Sequence, residues 1–440
     1  MKKLVLSFIV VLLFISCTST VNLKSTEFKL QDGDYNAAFD DYVAKSKVVK
    51  AQQGDIVLNL DLGMLAHYDS KYSESNTLLT RAEDSITENF TQSVTAKIGT
   101  FLVNDNTAAY RGEDYEDIYI NIFKSLNYYH LGKIESSMVE LRRMSEKQTK
   151  LEVKYNIQTD KILSSSSSAS SYLKGYRGQY FTNSALAQYL TMIFSRNLKD
   201  INTFNLSKQY FANSYVALSD YYTSGQTLSL AEEVYEYPSL MARVNFLAFN
   251  GLIPTKYERF DAIPYFDTYI RIAYPVLGEY RTSVSKIVVK VAENTLQLNL
   301  VESIGDIAKS VFRANQSVSI NKSIVRSITK NLTTDITSGI VKEVGKNSSD
   351  QSTSSFLDAL SSIVKVFGRT ASAASESADV RCAHFLPSCA WAGGITLAEG
   401  NYDITVDYYN KFGKLLFTKT FPNFEVKNNQ VNLVETYCLL

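Results

Sequence analysis

The feature that most constrains how this chain folds is a unit of apolar and small residues that recurs in its first half. In the clearest units, an apolar residue is followed three positions later by a small one and seven positions later by another apolar one, starting at Tyr35, Tyr72 and Ile134. A weaker unit starts at Ile201. This spacing is typical of the second helix of a tetratricopeptide-like hairpin. We therefore expect an irregular tetratricopeptide-like helical solenoid over residues 34–235.

The units are unevenly spaced, because Tyr72 follows Tyr35 by 37 positions and Ile134 follows Tyr72 by 62. An extra element must lie between the second and third units, and a plain helical bundle with a similar apolar period is the alternative. Small residues at Gly63 and Ser75 should let two helices approach closely. The serine run that begins at Ser164 is predicted to be a flexible loop.

Beyond Pro238 the pattern changes from helical spacing to the alternation of half-buried strands. Alternating apolar residues occur at 270–274, 287–291 and 402–408. Turns at 410–413 and 428–429 predict antiparallel hairpins near the end of the chain. Apolar stripes at 300–311, 324–336 and 356–367 predict inserted helices. The expected fold class is α+β, with a β-rich, sandwich-like second domain over residues 236–440.

The N-terminus has the pattern of a lipoprotein signal peptide over residues 1–16. Two lysines precede an apolar run from Leu4 to Ile15 that is too short to span a membrane. The run ends at Ser16 and Cys17, which resembles the lipobox at which a cysteine thiol is acylated. We predict lipidation of Cys17, a tether over residues 17–33 and attachment to a bacterial envelope membrane, with the outer membrane preferred. An ordinary signal peptide with an incidental cysteine is the alternative.

The charge balance excludes a bulk electrostatic role. Lys+Arg and Asp+Glu each number 45, so the formal net charge is +0 and no nucleic-acid partner is expected. Three cysteines remain beside Cys17, namely Cys382, Cys389 and Cys438. Either the first two form a loop disulfide, or all three are small core residues.

Candidates for catalysis are few. None of the histidines, His67, His130 and His384, stands at a metal-ligand spacing from another, so neither a metal nor a cofactor is predicted. We expect His67 and His130 to be packed or to line a groove. Asp379, Cys382 and His384 have the residue types of a nucleophilic site, but members of such sites normally come from separate elements. No catalytic residue is therefore assigned.

A partner-binding face is predicted on the helical half, because aromatic and basic residues are frequent there. Packing and solvated helix faces are the alternatives. The candidate residues are Tyr128, Tyr129, Arg142, Arg143, Tyr176, Tyr180 and Tyr189.

Several short motifs occur in order along the chain. They are Tyr110-Arg111-Gly112-Glu113 with Glu116, Val139-Glu140-Leu141-Arg142-Arg143, Asn250-Gly251-Leu252-Ile253-Pro254, Ile272-Ala273-Tyr274-Pro275, and Ala378-Asp379-Val380-Arg381 with Leu386-Pro387. On these motifs the chain resembles an uncharacterised family of bacterial lipoproteins with a tetratricopeptide-like first half. The resemblance implies a role in the cell envelope, linked to envelope or peptidoglycan assembly, and no catalytic residue.

The expected function is that of a lipid-anchored envelope adaptor whose helical repeats bind an envelope protein or an extended peptide. Two alternatives remain open. One is an envelope hydrolase or transferase that uses residues 379–384, and the other is a structural surface lipoprotein.

Overall fold

The chain begins with helices and ends mainly with strands, which places it in the α+β class. A computed structural model describes residues 21–95, 109–165, 183–217, 228–265, 268–279, 282–313 and 377–440. The helices before the first strand are α1 (Lys24–Gln31), α2 (Tyr35–Tyr68), α3 (Tyr72–Thr95), α4 (Asp114–His130), α5 (Ile134–Ser165), α6 (Ala185–Asn197) and α7 (Ile201–Ala217). A further helix, α8, covers residues 304–313. The strands are β1 (Met241–Leu252), β2 (Lys256–Tyr265), β3 (Thr268–Leu277), β4 (Lys286–Val291), β5 (Asn294–Gln297), β6 (Asn299–Ser303), β7 (Pro387–Ala398), β8 (Gly400–Tyr409), β9 (Leu415–Val426) and β10 (Asn432–Cys438).

Four three-residue turns join the helices into hairpins, between α1 and α2, α2 and α3, α4 and α5, and α6 and α7. The middle residue of each turn has a left-handed φ: 80° at Gly33, 59° at Ser70, 72° at Gly132 and 56° at Lys199. The amide of the third residue then donates to a carbonyl five residues earlier, as Lys71 does to Ala66. All four predicted units begin directly after one of these turns.

The close approach predicted at Gly63 is confirmed. A Cβ atom at this position would lie 2.6 Å from Cδ2 of Leu79 on α3. Ser75 Oγ donates to the Gly63 carbonyl at 2.7 Å. Helix α2 also bends at Gly54, where φ is 87° and ψ is 176°, so its second part, residues 55–68, pairs with α3.

Other expectations for the first half change. The tetratricopeptide-like solenoid is not confirmed, because what the structure establishes is helical hairpins. Helix α1 lies within residues 17–33, which the sequence predicts to be a tether. Leu23 and Leu30 are buried in the core, so this part of the segment belongs to the folded body. Helix α5 continues to Ser165, two residues into the segment predicted to be a loop. The rest of that serine run lies outside the described residues.

The strands form two four-stranded sheets and one hairpin. The central sheet has the order β10-β1-β7-β6, the outer sheet has the order β5-β4-β8-β9, and β2 pairs with β3. The strands predicted at 270–274, 287–291 and 402–408 are confirmed. The second predicted hairpin is wrong, because β10 leaves β9 after the turn and pairs with β1 in the central sheet, with both strands parallel.

Strand β1 separates two layers of packing. Val244 and Phe246 face the outer sheet across the sandwich, whereas Leu247 and Phe249 face the helices. Helices, central sheet and outer sheet therefore form three layers. One hydrophobic core runs from Leu23 of the helical half to Leu439 of the last strand region, so the change of pattern near residue 236 does not divide the core.

The predicted helix at 300–311 is partly wrong, because Leu300 to Ser303 belong to β6 and the helix starts at residue 304. The stripes at 324–336 and 356–367 lie outside the described residues. The signal peptide and Cys17 lie outside them too. Among the helices that the structure describes, none is long and apolar enough to cross a bilayer.

Candidate functional site

The segment that carries Asp379, Cys382 and His384 is a strap, residues 378–386, that crosses the helices. Its three candidate residues have separate partners. Nε of Arg381 donates to Asp379 at 2.8 Å, and Nδ1 of His384 lies 2.8 Å from Oδ2 of Asp61 on α2. The Cys382 thiol is fully buried and accepts from the Lys256 amide at 3.3 Å. Burial raises the pKa of this thiol to about 12, so it is protonated at neutral pH and is not an activated nucleophile.

Glu116 of α4 fastens the strap to the helices. Its carboxylate accepts from the Ala383 amide at 2.6 Å and from the Tyr110 hydroxyl at 2.8 Å. Burial, followed by the nearby Glu113 charge, raises the pKa of Glu116 to about 7. Lys256 pairs with Glu113 beside it. Two of the motifs quoted for the resemblance, around residues 110–116 and 378–381, therefore meet in one network.

A buried glutamate between two histidines joins β10 to the helices. Glu435 Oε1 lies 3.1 Å from Nε2 of His67, and Oε2 lies 2.5 Å from Nε2 of His130. Burial alone would raise the pKa of Glu435, but the two histidines outweigh it and hold the pKa well below its usual range. His67 Nδ1 is 2.6 Å from Asn127 Oδ1. The expectation that His67 and His130 are packed fits this placement.

The same face of the helices meets the sheet through tyrosines. Tyr129 donates to the Leu433 carbonyl at 2.9 Å. Tyr189 is fully buried, where its hydroxyl donates to the Gly393 carbonyl at 3.2 Å and accepts from Asn245 at 2.8 Å. Tyr189 is therefore not available to a partner. The inner face of the helical hairpins, which we define as residues 55–68, α4 and α6, is occupied by the chain's own central sheet and strap.

The other candidates of the partner face are dispersed. Tyr128 is half-buried at the end of α4, and Arg142 and Arg143 are exposed on α5. Arg143 pairs with Glu140 at 3.2 Å, but Glu140 is buried, so the expectation of a solvated face holds for the arginines and not for their acidic neighbour. Tyr176 and Tyr180 lie outside the described residues.

An open groove lies where the two halves meet at one edge. This seam groove is formed by four segments: residues 193–199 at the end of α6 and the turn after it, residues 235–237, the start of β1 at 242–243, and residues 427–432 between β9 and β10. It encloses about 360 Å³. Sequence reasoning missed it, because its residues come from four separate segments. The one signal was the Asn428-Asn429 pair, which we interpreted only as a turn.

A buried ionic network holds the groove's floor in place. The Glu233 carboxylate accepts hydrogen bonds from Nη1 of Arg196 at 2.8 Å and from Nε of Arg243 at 2.9 Å. Arg196 also donates to Asn245 at 2.8 Å, and Asn245 donates to Glu233. Glu232 supplies a second carboxylate, 2.8 Å from Nη1 of Arg243. Because two carboxylates pair with two guanidinium groups, the two arginines are fixed and neutralised rather than free to bind an anion.

The rim of the groove keeps polar groups that have no protein partner. Lys199, Glu236 and Asn429 are exposed, and their side chains make no hydrogen bond or ion pair with other residues that the structure describes. Lys427 is paired with Glu425 at 2.6 Å. Among the residues described, the seam groove thus offers one unpaired cation, one unpaired carboxylate and one unpaired carboxamide to a ligand.

The cysteines decide between the two earlier alternatives. Cys382, Cys389 and Cys438 are free and buried, so the loop disulfide is not formed and the core placement is confirmed. Within the described ranges, no group of three or more histidine, cysteine or acidic side chains could hold a metal ion.

No family model, no curated protein and no solved structure matches the chain. The resemblance to a bacterial lipoprotein family therefore stays a prediction.

Proposed function

We propose that the chain is a lipid-anchored adaptor of the bacterial cell envelope that holds another envelope component in the seam groove. The observation that carries this proposal is the open groove of about 360 Å³, where both halves leave polar side chains without a partner. The lipobox at Cys17 supports the anchor.

The seam groove lies away from the inner face of the helical hairpins. Side chains of that face are bonded to the central sheet, as His67 is to Glu435 and Tyr129 to Leu433. A partner would have to displace the central sheet to reach them. The seam groove needs no such opening.

The alternative of an envelope hydrolase or transferase gains no support from the strap. Such chemistry at Cys382 requires a thiolate next to a base. The thiol is buried with a raised pKa, and the imidazole of His384 is held by Asp61 instead. The alternative of a structural surface lipoprotein differs from the adaptor only in having no ligand.

Site-specific photo-crosslinking in cells tests the adaptor. A crosslinker replaces Gln430 on the groove's rim, and a matched crosslinker replaces Lys411, which is exposed in the turn at the opposite end of β9. We expect one dominant adduct from position 430 and none from position 411. The absence of an adduct at position 430, or the same adducts from both positions, contradicts the proposal.

The anchor is tested separately. Cys17→Ser should release the mature chain from the membrane fraction and abolish incorporation of labelled palmitate. Retention of the label in this variant would place the lipid elsewhere or overturn the lipobox.

A further inference from the structure

We infer that the seam groove binds a short neutral oligosaccharide rather than a peptide or an anion. The inference rests on the proposed function, since it names the ligand of the same groove.

The charges at the groove favour a neutral ligand. Arg196 and Arg243 are neutralised by Glu233 and Glu232, and Lys427 by Glu425. The remaining free charges in the lining are one lysine, Lys199, and one glutamate, Glu236, which offset each other. An anion such as a phosphate would meet no uncompensated cationic cluster and would face a carboxylate.

The hydrogen-bonding groups suit hydroxyl and acetamido groups. Five carboxamide side chains line the groove, contributed by Asn197, Asn428, Asn429, Gln430 and Asn432. Four of them also bond within the chain, as Asn428 Nδ2 does to the Pro238 carbonyl and Gln430 Nε2 to Asn432, whereas the Asn429 side chain makes no bond to other described residues. A carboxamide offers both donors and an acceptor, so it can bind neighbouring hydroxyls or the amide of an N-acetylated sugar. The rings of Tyr235 and Tyr237 also lie in this lining, where Tyr235 packs against Phe204 and Tyr237 lies under the Arg196 guanidinium.

A peptide partner fits the lining less well. Protein recognition sites depend on a desolvated apolar or aromatic pocket that takes an anchoring side chain. The aliphatic lining consists of Ile193 and Ala242 alone, and the Arg196 guanidinium lies 5.3 Å from the centroid of the Tyr237 ring. The volume of about 360 Å³ lies near the lower end of the range for small-molecule clefts.

Titration of the full mature chain with chitotriose and with maltotriose, followed by calorimetry, tests the inference. We expect saturable binding of chitotriose, with maltotriose weaker because it has no acetamido groups. Asn429→Gly and Lys199→Gly remove the free side chains while keeping the left-handed φ of 61° and 56° at these positions. Each should weaken binding by about tenfold or more. Lys411→Ala, at the far end of β9, should bind chitotriose like the unaltered chain.

The outcomes separate the two proposals. The oligosaccharide proposal is overturned if neither sugar shows saturable binding. It is also overturned if the Asn429 and Lys199 variants bind chitotriose as tightly as the unaltered chain. If the crosslinker at position 430 then traps a polypeptide, the adaptor stands with a different ligand. If it traps nothing, both proposals fail.

Discussion

Buried carboxyl groups set how this protein responds to pH. Glu302 of β6 is fully buried. Its carboxylate accepts hydrogen bonds from the Tyr119 hydroxyl at 2.5 Å and from the Ser184 hydroxyl at 2.8 Å. Burial raises the pKa of Glu302 to about 7 from an ordinary 4.5, against the opposing effect of these hydrogen bonds. Glu116 behaves in the same way. Glu435 has the opposite shift, because two histidines face it.

These shifts predict that the folded state loses stability as pH rises through neutrality. A carboxyl with a raised folded pKa binds its proton more tightly in the folded chain than in the unfolded chain. Its contribution is therefore present at mildly acidic pH and lost above pH 7. A single group with a folded pKa near 7 lowers the unfolding free energy by about 1.4 kcal/mol between pH 6 and pH 8. Glu302→Gln should reduce the fall by that amount, as measured by urea unfolding at several pH values.

The matched control is Glu146→Gln, which alters an exposed glutamate on α5. This variant should keep the full pH dependence. An unchanged pH profile in the Glu302 variant would show that its carboxyl is already ionised at pH 6.

The thiols provide a second test at the scale of single residues. Burial raises the pKa of Cys382 and Cys389 to about 12 and that of Cys438 to about 11. In a Cys17→Ser background, we expect no native thiol to react with a disulfide reagent at pH 8, and three to react in urea. Rapid reaction of one thiol before unfolding would instead identify an accessible nucleophile and revive the enzyme alternative.

At the scale of elements, the contact between α2 and α3 depends on the missing side chain of Gly63. Gly63→Val would place two γ carbons where Leu79 already packs, since even a Cβ atom lies 2.6 Å from it. We expect a loss of about 1–3 kcal/mol in unfolding free energy. Asn59→Val, on the same helix at a half-buried position, should cost less. An equal loss of unfolding free energy in the two variants would mean that α3 shifts to make room for the larger side chain at no cost in stability.

The helical hairpins could be predicted from sequence because their signals are local. Each signal involves only a few neighbouring residues. Ser75 is a small residue at a close contact between helices, and Gly132 has the left-handed φ of the turn that joins two helices. Strands β4 and β8 of the outer sheet could be predicted for the same reason, since one face is solvated and the residues alternate.

The central sheet could not be predicted in this way. Strand β1 is covered on both faces, so ten consecutive residues are buried and no alternation appears. The parallel pairing of β10 with β1 joins residues about 190 positions apart, as in Val244 with Asn432. The seam groove could not be predicted for the same reason, because Lys199 and Asn429 line it together although they are about 230 positions apart in the chain.

At the scale of the whole molecule, the continuous core predicts one cooperative unfolding transition. Far-ultraviolet circular dichroism follows the helices. The fluorescence of the sole tryptophan, Trp391, follows β7, where its indole donates to Asn250 at 2.6 Å. The two signals should give the same thermal midpoint. Two independent domains would give separate midpoints.

The Glu435 variant shows whether the halves stabilise each other. Glu435→Ala leaves His67 buried without its carboxylate and should destabilise the chain by about 3–5 kcal/mol. Both signals should shift together. A shift in the fluorescence signal alone would mean that the helices fold without the sheet.

The position of β10 in the chain has a consequence for the order of folding. This strand supplies Glu435 and Tyr437 to the helices and lies beside β1 at the edge of the central sheet. Synthesis proceeds from the N-terminus, so the hairpins emerge long before the strand that seals them. The core shared by the helices and the central sheet is therefore incomplete until residues 432–438 have been made and exported.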